Sequence, residues 1–244
     1  MYSTRIEELG GGPIEFGTSG LLYRSNKLMY DRATNTLWRQ FVGEPVVGPL
    51  ANSGIKLEVF PVTVTTWAAW SEMHPDTTVL SQHTGVYPAG TYLPETNPRA
   101  IYYDYFARSD TMFPVWLRDD ALPTKESVLG VLVRGVPKAY ALRDLAANPV
   151  VNDTIAGAPV VVISSPFTGS ARAYLRQGIE FVRVPQLTDI GDTVTDVEGR
   201  RWRITEEALV RTDDPTITLS RLPTHMAFWF GWYASYPNTL LFSG

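Results

Sequence analysis

Short runs of β-branched and aromatic residues, separated by turn residues, recur along most of the chain. Two pairs of such runs flank a two-residue turn, Arg134-Gly135 in one pair and Ala156-Gly157 in the other. Because glycine readily adopts the left-handed backbone that a tight turn needs, each pair predicts a β-hairpin. A proline follows each glycine by two residues, which favours a position at a sheet edge or a barrel rim.

Helical patterns are few and short. Thr65 or Thr66 is a suitable N-cap for a helix that continues to Met73, and a second helix is expected over residues 142–147, before Asn148-Pro149. Residues 17–20 are expected to form a turn between two strands. The pattern therefore predicts a mainly β (α+β) fold with small helices.

An internal repeat is the most informative pattern. The segment Thr66–Thr77, with a Trp-x-x-Trp and a Pro-Asp-Thr element, recurs at an offset of 162 residues as Phe228–Thr239, with Pro-Asn-Thr. The tryptophans of each copy lie three residues apart, which places them on one face of a short helix. A β-type run follows in each copy, over residues 78–81 and 240–243. We expect the tryptophans to be core anchors.

The repeat extends upstream of the helices, because residues 28–38 correspond to residues 194–202. Asp31 and Asp196 then occupy equivalent positions, and a duplicated aspartate is first expected to form a turn. The predicted fold is two pseudo-repeats of hairpins and strands, each ending in a short Trp-containing helix and a strand. The predicted organisation is the C-terminal part of a first pseudo-repeat (1–82), a connecting insert rich in Tyr and Pro (83–126) and a second pseudo-repeat (127–244), in one compact unit.

Composition excludes several classes of protein. The chain is 44% hydrophobic and 19% charged with a net charge of −4, which is typical of a folded globular protein. Its basic residues are scattered, so we expect no nucleic-acid partner. No apolar run approaches the roughly 20 residues that span a bilayer, and the N-terminus lacks a signal-peptide pattern. We therefore expect a soluble chain, with its compartment and ligand left open.

Candidate chemistry is sparse. The chain has no cysteine, and its three histidines are too dispersed for a local metal motif, so no metal, cofactor or catalytic residue is predicted. Tyrosines of the insert are typical of sugar-stacking sites, and paired aspartates can bind a cation or act in hydrolysis, although a turn-forming role is the simpler interpretation. The candidate binding residues are His83, Tyr87, Tyr102, Tyr103, Tyr105, Asp119 and Asp120.

Several stretches resemble a bacterial family that is catalogued as domain of unknown function 3179. Members of this family have no established biochemical activity, so the resemblance implies an architecture and no reaction. The matching stretches are residues 16–23, 29–32, 43–50, 66–67 with 74–77, 112–115 with 118–120, and 151–154.

The resemblance also implies a degenerate motif. Similar members carry Cys-Pro-Leu-Cys-Gly-Ser in their first copy, whereas the second copy here reads Ser165-Pro166-Phe167-Thr168-Gly169-Ser170. Ser165 and Thr168 stand at the cysteine positions, and a hydroxyl lacks the nucleophilicity of a thiolate and its softness toward metals. The loop Ser165, Thr168, Gly169 and Ser170 is therefore expected to be a structural relic.

Three functional hypotheses follow. The first is a non-enzymatic module with a binding or structural role, in which a missing N-terminal segment or a protein partner covers an incomplete first repeat. The second is a fragment of a metal- or thiol-dependent redox protein whose Cys-x-x-Cys motif lies upstream of Met1. The third is a module that binds carbohydrate or the cell envelope.

Overall fold

The protein is described from a computed structural model, which covers residues 2–88, 90–182 and 193–244. The strands are β1 (Phe16–Tyr23), β2 (Asn26–Asp31), β3 (Leu37–Arg39), β4 (Pro45–Val47), β5 (Ser127–Val133), β6 (Val136–Ala141), β7 (Val150–Ile155), β8 (Ala158–Ser164), β9 (Ala171–Leu175), β10 (Thr193–Thr195), β11 (Arg201–Ile204), β12 (Ala208–Arg211), β13 (Thr218–Leu222), β14 (Thr224–Phe228) and β15 (Leu240–Leu241). The helices are a 3-10 turn (Glu7–Leu9), α1 (Trp67–Met73), α2 (Tyr103–Ala107), α3 (Leu142–Ala147) and α4 (Trp229–Ser235). The predicted mainly β fold is confirmed.

The strands form three sheets. Strands β1 to β4 make an antiparallel sheet in chain order, and a second sheet has the order β10-β11-β12-β13-β9-β8-β7. The third sheet has the order β14-β5-β6-β15, in which only the β6–β15 pair is parallel. Among the described residues, no helix is both long enough and apolar enough to cross a bilayer.

Both predicted hairpins are present. Arg134 and Gly135 have φ angles of 50° and 81°, and Ala156 and Gly157 have 49° and 74°, which is the geometry of a type I′ turn. The expected edge position was wrong for β5, β6 and β8, which lie inside their sheets. Each proline is tolerated because it lies one residue before the pairing with the next strand begins. Pro137 precedes the β6–β15 pairing, which begins at residue 138, and Pro159 precedes the β8–β9 pairing, which begins at residue 160.

Two local expectations were wrong, and both concern the first copy. Residues 17–20 lie inside β1, where the register shifts between Thr18 and Leu22, and the chain reverses at Arg24 and Ser25 instead. A glycine at φ 75° here produces a bulge in a continuing strand. Residues 78–81 form no strand, although the equivalent Leu240–Leu241 pairs with β6.

The helices follow their local signals. The hydroxyl of Thr66 accepts a hydrogen bond from the Ala69 amide at 3.3 Å, so α1 has the predicted cap. Helix α3 has the predicted bounds. Helix α2 lies in the insert and had no clear signal in the sequence.

The sheets of the two copies are built around equivalent buried tryptophans. The Nε1 of Trp38 donates to Asp31 Oδ2 at 2.8 Å, and that of Trp202 donates to Asp196 Oδ2 at 2.9 Å. Both aspartates also accept backbone amides of the following turn, which confirms their turn-forming role. In each copy a phenylalanine packs edge-on against the indole, with ring centroids 5.8 and 5.9 Å apart.

These contacts explain the pKa values of the two aspartates. Burial alone would raise the pKa of Asp31 and of Asp196, because it disfavours the charged carboxylate. The hydrogen bonds from the indole and the turn outweigh burial, and in the second copy Arg200 adds an ion pair at 2.7 Å. Both pKa values therefore lie below the usual range.

Candidate functional site

The two Trp-x-x-Trp helices have the same local geometry. The residues before them, Thr66 and Phe228, have φ/ψ angles of −75°/149° and −73°/147°. The Nε1 of Trp70 donates to the Thr77 hydroxyl at 3.2 Å, and the Nε1 of Trp232 donates to that of Thr239 at 2.8 Å. The repeated Thr thus serves the same purpose in both copies: it ties the loop after the helix to the second tryptophan.

The surroundings of the helices differ sharply. Helix α4 packs on the third sheet, where Trp229 and Trp232 are 2% and 0% exposed. Helix α1 has no buried residue, and Trp67 is 57% exposed. Val64 before the helix and Val79 after it are exposed as well. We call the exposed part of the chain in and beside α1, with Val64, Trp67, Trp70 and Val79, the first-copy face.

A cleft of about 610 Å³ borders the first-copy face at Trp70. Its apolar side comes from the segment before α1, and its polar side comes from the second sheet and the turn between β11 and β12. The lining residues are Phe60, Pro61, Val62, Thr63, Trp70, Glu206, Glu207 and Arg221.

A buried charge network joins the two sides of this cleft. Arg221 donates to the Glu206 carboxylate, to the Val62 carbonyl at 2.8 Å and to the Thr63 hydroxyl at 2.7 Å. The Thr63 hydroxyl donates to Glu206 at 2.8 Å. Arg172 approaches the other Glu206 oxygen at 3.1 Å. The segment before α1 is therefore held to the second copy by hydrogen bonds to Arg221 and Glu206.

Glu206 stays ionised in this network. Its partial burial would raise the pKa of the carboxyl, but Arg172, Thr63 and Arg221 more than compensate, and the pKa lies below the usual range. A carboxylate with a lowered pKa that is saturated by guanidinium groups is a poor general acid or base near neutral pH. The geometry therefore favours an anchoring role for Glu206.

The predicted tyrosine candidates lie apart from this cleft, on the insert. Tyr87, Tyr102 and Tyr103 are exposed, and Tyr105 is half-buried beneath Lys125, whose Nζ lies 3.5 Å from the ring centroid. His83 is exposed. The ring pairs Tyr87–Tyr92 and Tyr102–Tyr105 are edge-to-face at 6.2 and 6.4 Å.

The predicted aspartate pair has structural contacts. Asp119 Oδ1 accepts the Ala121 amide at 2.9 Å, which is a turn of the expected kind. The Asp119 carbonyl accepts the Nε1 of Trp229 at 3.0 Å, so this turn also holds α4. Asp120 is exposed.

The predicted relic loop is a closed turn. The Gly169 amide donates to the Ser165 carbonyl at 3.0 Å, and the Thr168 and Ser170 hydroxyls are 3.0 Å apart. Ser170 also accepts Arg172 at 3.2 Å, which connects the loop to the network of Glu206. A cavity of about 270 Å³ lies between this loop and α3.

Sequence reasoning missed the residues of the charge network, Thr63, Arg172, Glu206 and Arg221. They lack a motif spacing, since Thr63 and Arg221 are 158 residues apart. Among residues 2–88, 90–182 and 193–244, no three His, Asp or Glu side chains group in a way that could hold a metal ion.

Comparison with known proteins gives one match. The family model described as a protein of unknown function (DUF3179) matches residues 1–239. The searches of curated proteins and of solved structures return no match. The chain therefore belongs to the DUF3179 family, a family of proteins of unknown function.

Proposed function

We propose that this protein is a non-enzymatic binding module that joins a larger assembly through its first-copy face. The observation that carries the proposal is the exposure of Trp67, at a position where the equivalent Trp229 is 2% exposed. Contiguous apolar patches on a folded chain mark interaction surfaces, and tryptophan is enriched among the residues that contribute most to binding.

Further exposed apolar side chains lie near α1 along the chain. Phe60 is 44% exposed and Leu80 is 96% exposed, at positions that flank α1 on either side. Single exposed hydrophobic residues are ordinary, but several here lie in or beside one helix in the chain, and Phe60 also lines the cleft. The cleft at Trp70 supplies a concave centre, and the exposed Glu207 at its wall supplies a charge that can orient a partner.

The test is isolation of the tagged full chain from the organism that encodes it, by size-exclusion chromatography with mass spectrometry. We expect a second polypeptide to co-elute in stoichiometric amount with the wild-type chain. It should also co-elute with Phe167→Ser, a control at another exposed aromatic residue. We expect its loss with Trp67→Ser. A wild-type chain that elutes without a partner, or a partner that stays bound to Trp67→Ser, would overturn the proposal.

Exposed tyrosines of the insert favour a second candidate function, carbohydrate binding. Tyr87 and Tyr102 are 58% and 51% exposed, so their rings are open to a sugar face. A glycan panel tests this alternative with the wild type and with Tyr87→Ala and Tyr102→Ala. A wild-type response that the substitutions abolish supports it, and a panel without response removes it.

A further inference from the structure

In the second copy, a β-hairpin covers the Trp-containing helix. Strand β14 pairs with β5 from Thr224↔Val131 to Phe228↔Ser127, and β15 pairs with β6. The β5–β6 hairpin thus lies between the segment before α4 and the segment after it. Its Gly130 faces the Trp232 ring so closely that an added Cβ would overlap the indole.

In the first copy, segments equivalent to β14 and β15 flank α1. The offset of 162 residues maps β14 onto residues 62–66 and β15 onto residues 78–79. Neither segment is a strand among the described residues. Two of their exposed side chains have less exposed equivalents in the second copy: Val64 is 55% exposed where Met226 of β14 is half-buried, and Val79 is 64% exposed where Leu241 of β15 is half-buried.

The cleft lies against the ring that a hairpin would cover. One face of each second tryptophan stacks on the residue four positions later, with centroids 4.1 Å apart for Trp70–His74 and 4.4 Å for Trp232–Tyr236. In the second copy Gly130 lies against the Trp232 ring, whereas the Trp70 ring borders the 610 Å³ cleft. The charge network of Arg221 holds Val62 and Thr63 in place beside it.

We infer that the first-copy face binds a β-hairpin from polypeptide outside residues 1–244, with one strand pairing with residues 62–66 and a glycine lying against Trp70. This inference rests on the proposed function and names the class of partner. An added strand forms main-chain hydrogen bonds along this segment, and burial of Val64, Trp67 and Val79 adds apolar stabilisation. The glycine is required because the equivalent close approach in the second copy leaves no room for a side chain.

A second copy of this chain is a poorer occupant. Its own β5–β6 hairpin is already paired with β14 and β15 and is covered by α4. To insert that hairpin elsewhere, the second copy would have to expose Trp229 and Trp232. The partner hairpin is therefore expected to come from other polypeptide.

The test uses a synthetic hairpin with residues 126–143 of this chain and a cysteine added at each end. The disulfide closes the hairpin, because an isolated two-stranded hairpin is marginally stable. This peptide contains no tryptophan and the protein contains no cysteine, so tryptophan emission reports on the protein alone and no disulfide exchange occurs. We expect a saturable blue shift at one peptide per chain.

Matched variants locate the binding. A peptide carrying Gly130→Val is expected to bind at least about tenfold more weakly, because the new side chain clashes with the indole. In the protein, Val64→Glu and Trp70→Ala should each weaken binding of the wild-type peptide. Phe167→Ala should leave that binding unchanged. Equal binding by Val64→Glu, Trp70→Ala and wild type overturns the inference, as does the absence of a saturable shift with the wild type.

The remaining outcomes separate the inference from the proposed function. If concentrated wild-type protein dimerises and Trp70→Ala abolishes the dimer, a second copy is the occupant and the hairpin inference is wrong. If the peptide does not bind while the assembly isolated from cells still depends on Trp67, the hairpin inference is wrong and the proposed function stands.

Discussion

Helices α1 and α4 are a controlled comparison within one chain. They have equal lengths, the same backbone angles before them and the same Trp-to-Thr hydrogen bond. Helix α4 buries five of its residues on the third sheet, whereas α1 buries none. A helix of two turns is marginal by itself, so its stability comes from packing. The comparison teaches that the repeated sequence encodes the local motif, and that the neighbouring hairpin decides whether the motif is core or surface.

The largest expected effect comes from a comparison of Trp232→Ala with Trp70→Ala. Trp232→Ala removes a fully buried indole and should lower the free energy of unfolding by about 3–5 kcal/mol. Trp70→Ala should cost about 1 kcal/mol, because its ring borders an open cleft. Urea denaturation of both variants measures the difference. Equal losses would show that the two helices are equally supported.

His225 provides a pH test of the second copy. Burial lowers the pKa of His225 to about 4, from 6.5, and its ring lies beside Phe41 and Trp232. Since the unfolded chain binds the proton first, the free energy of unfolding should be highest above pH 6.5 and should fall as pH drops toward 4, by about 3 kcal/mol.

The equivalent residue of the first copy is Thr63, which does not titrate in this range. Replacement of His225 by phenylalanine should therefore flatten the stability profile between pH 6.5 and 4, as measured by denaturation at each pH. His83→Gln, at an exposed position, is the control and should keep the wild-type profile. A His225→Phe profile parallel to the wild type would contradict the prediction.

Substitution of Asp31 and of Asp196 tests a feature that the two copies share. Each carboxylate is buried and accepts an indole N–H, so Asp31→Ala and Asp196→Ala should each cost about 2–3 kcal/mol. Thermal and urea unfolding should give similar losses, slightly larger for Asp196, which also pairs with Arg200. If Asp31→Ala were silent, the first sheet would be as weakly supported as α1.

The threonines after the helices give the smallest expected effect. Thr239→Val leaves the buried Nε1 of Trp232 without its acceptor and should cost about 1–2 kcal/mol. Thr77→Val should cost less than about 0.5 kcal/mol, because water can reach Trp70 at the cleft and replace the hydroxyl. Chemical denaturation with both single variants checks the ranking, and a larger loss for Thr77→Val would reverse it.

Sequence reasoning predicted the local features well for a common reason. The turns at Gly135 and Gly157 and the cap of α1 depend on residues within a few positions of each other. The repeat in turn predicted that Asp31 and Asp196 are equivalent turn residues in the two copies. The misses came where neighbours outside the local stretch decide the outcome. Residues 17–20 continue β1 because Gly17 and Thr18 pair with Tyr30 and Met29 of β2 and the pairing resumes at Leu22 after the bulge.

The candidate site was mostly beyond sequence reasoning. Thr63 and Glu206 meet although 143 residues separate them, and neither lies in a recognisable motif. The exposed tyrosines of the insert were found by composition, but they lie apart from the cleft at Trp70. Their role in binding stays a prediction.

By itself, the sequence determined the mainly β class, the duplicated Trp-containing units, the tight turns and the membership of the DUF3179 family. Only the tertiary structure decided that α4 is buried and α1 is exposed, and that Arg221 joins the two copies beside a cleft. The physical reason is that hydrogen bonds of turns and caps are local, whereas burial depends on which distant strands cover a surface.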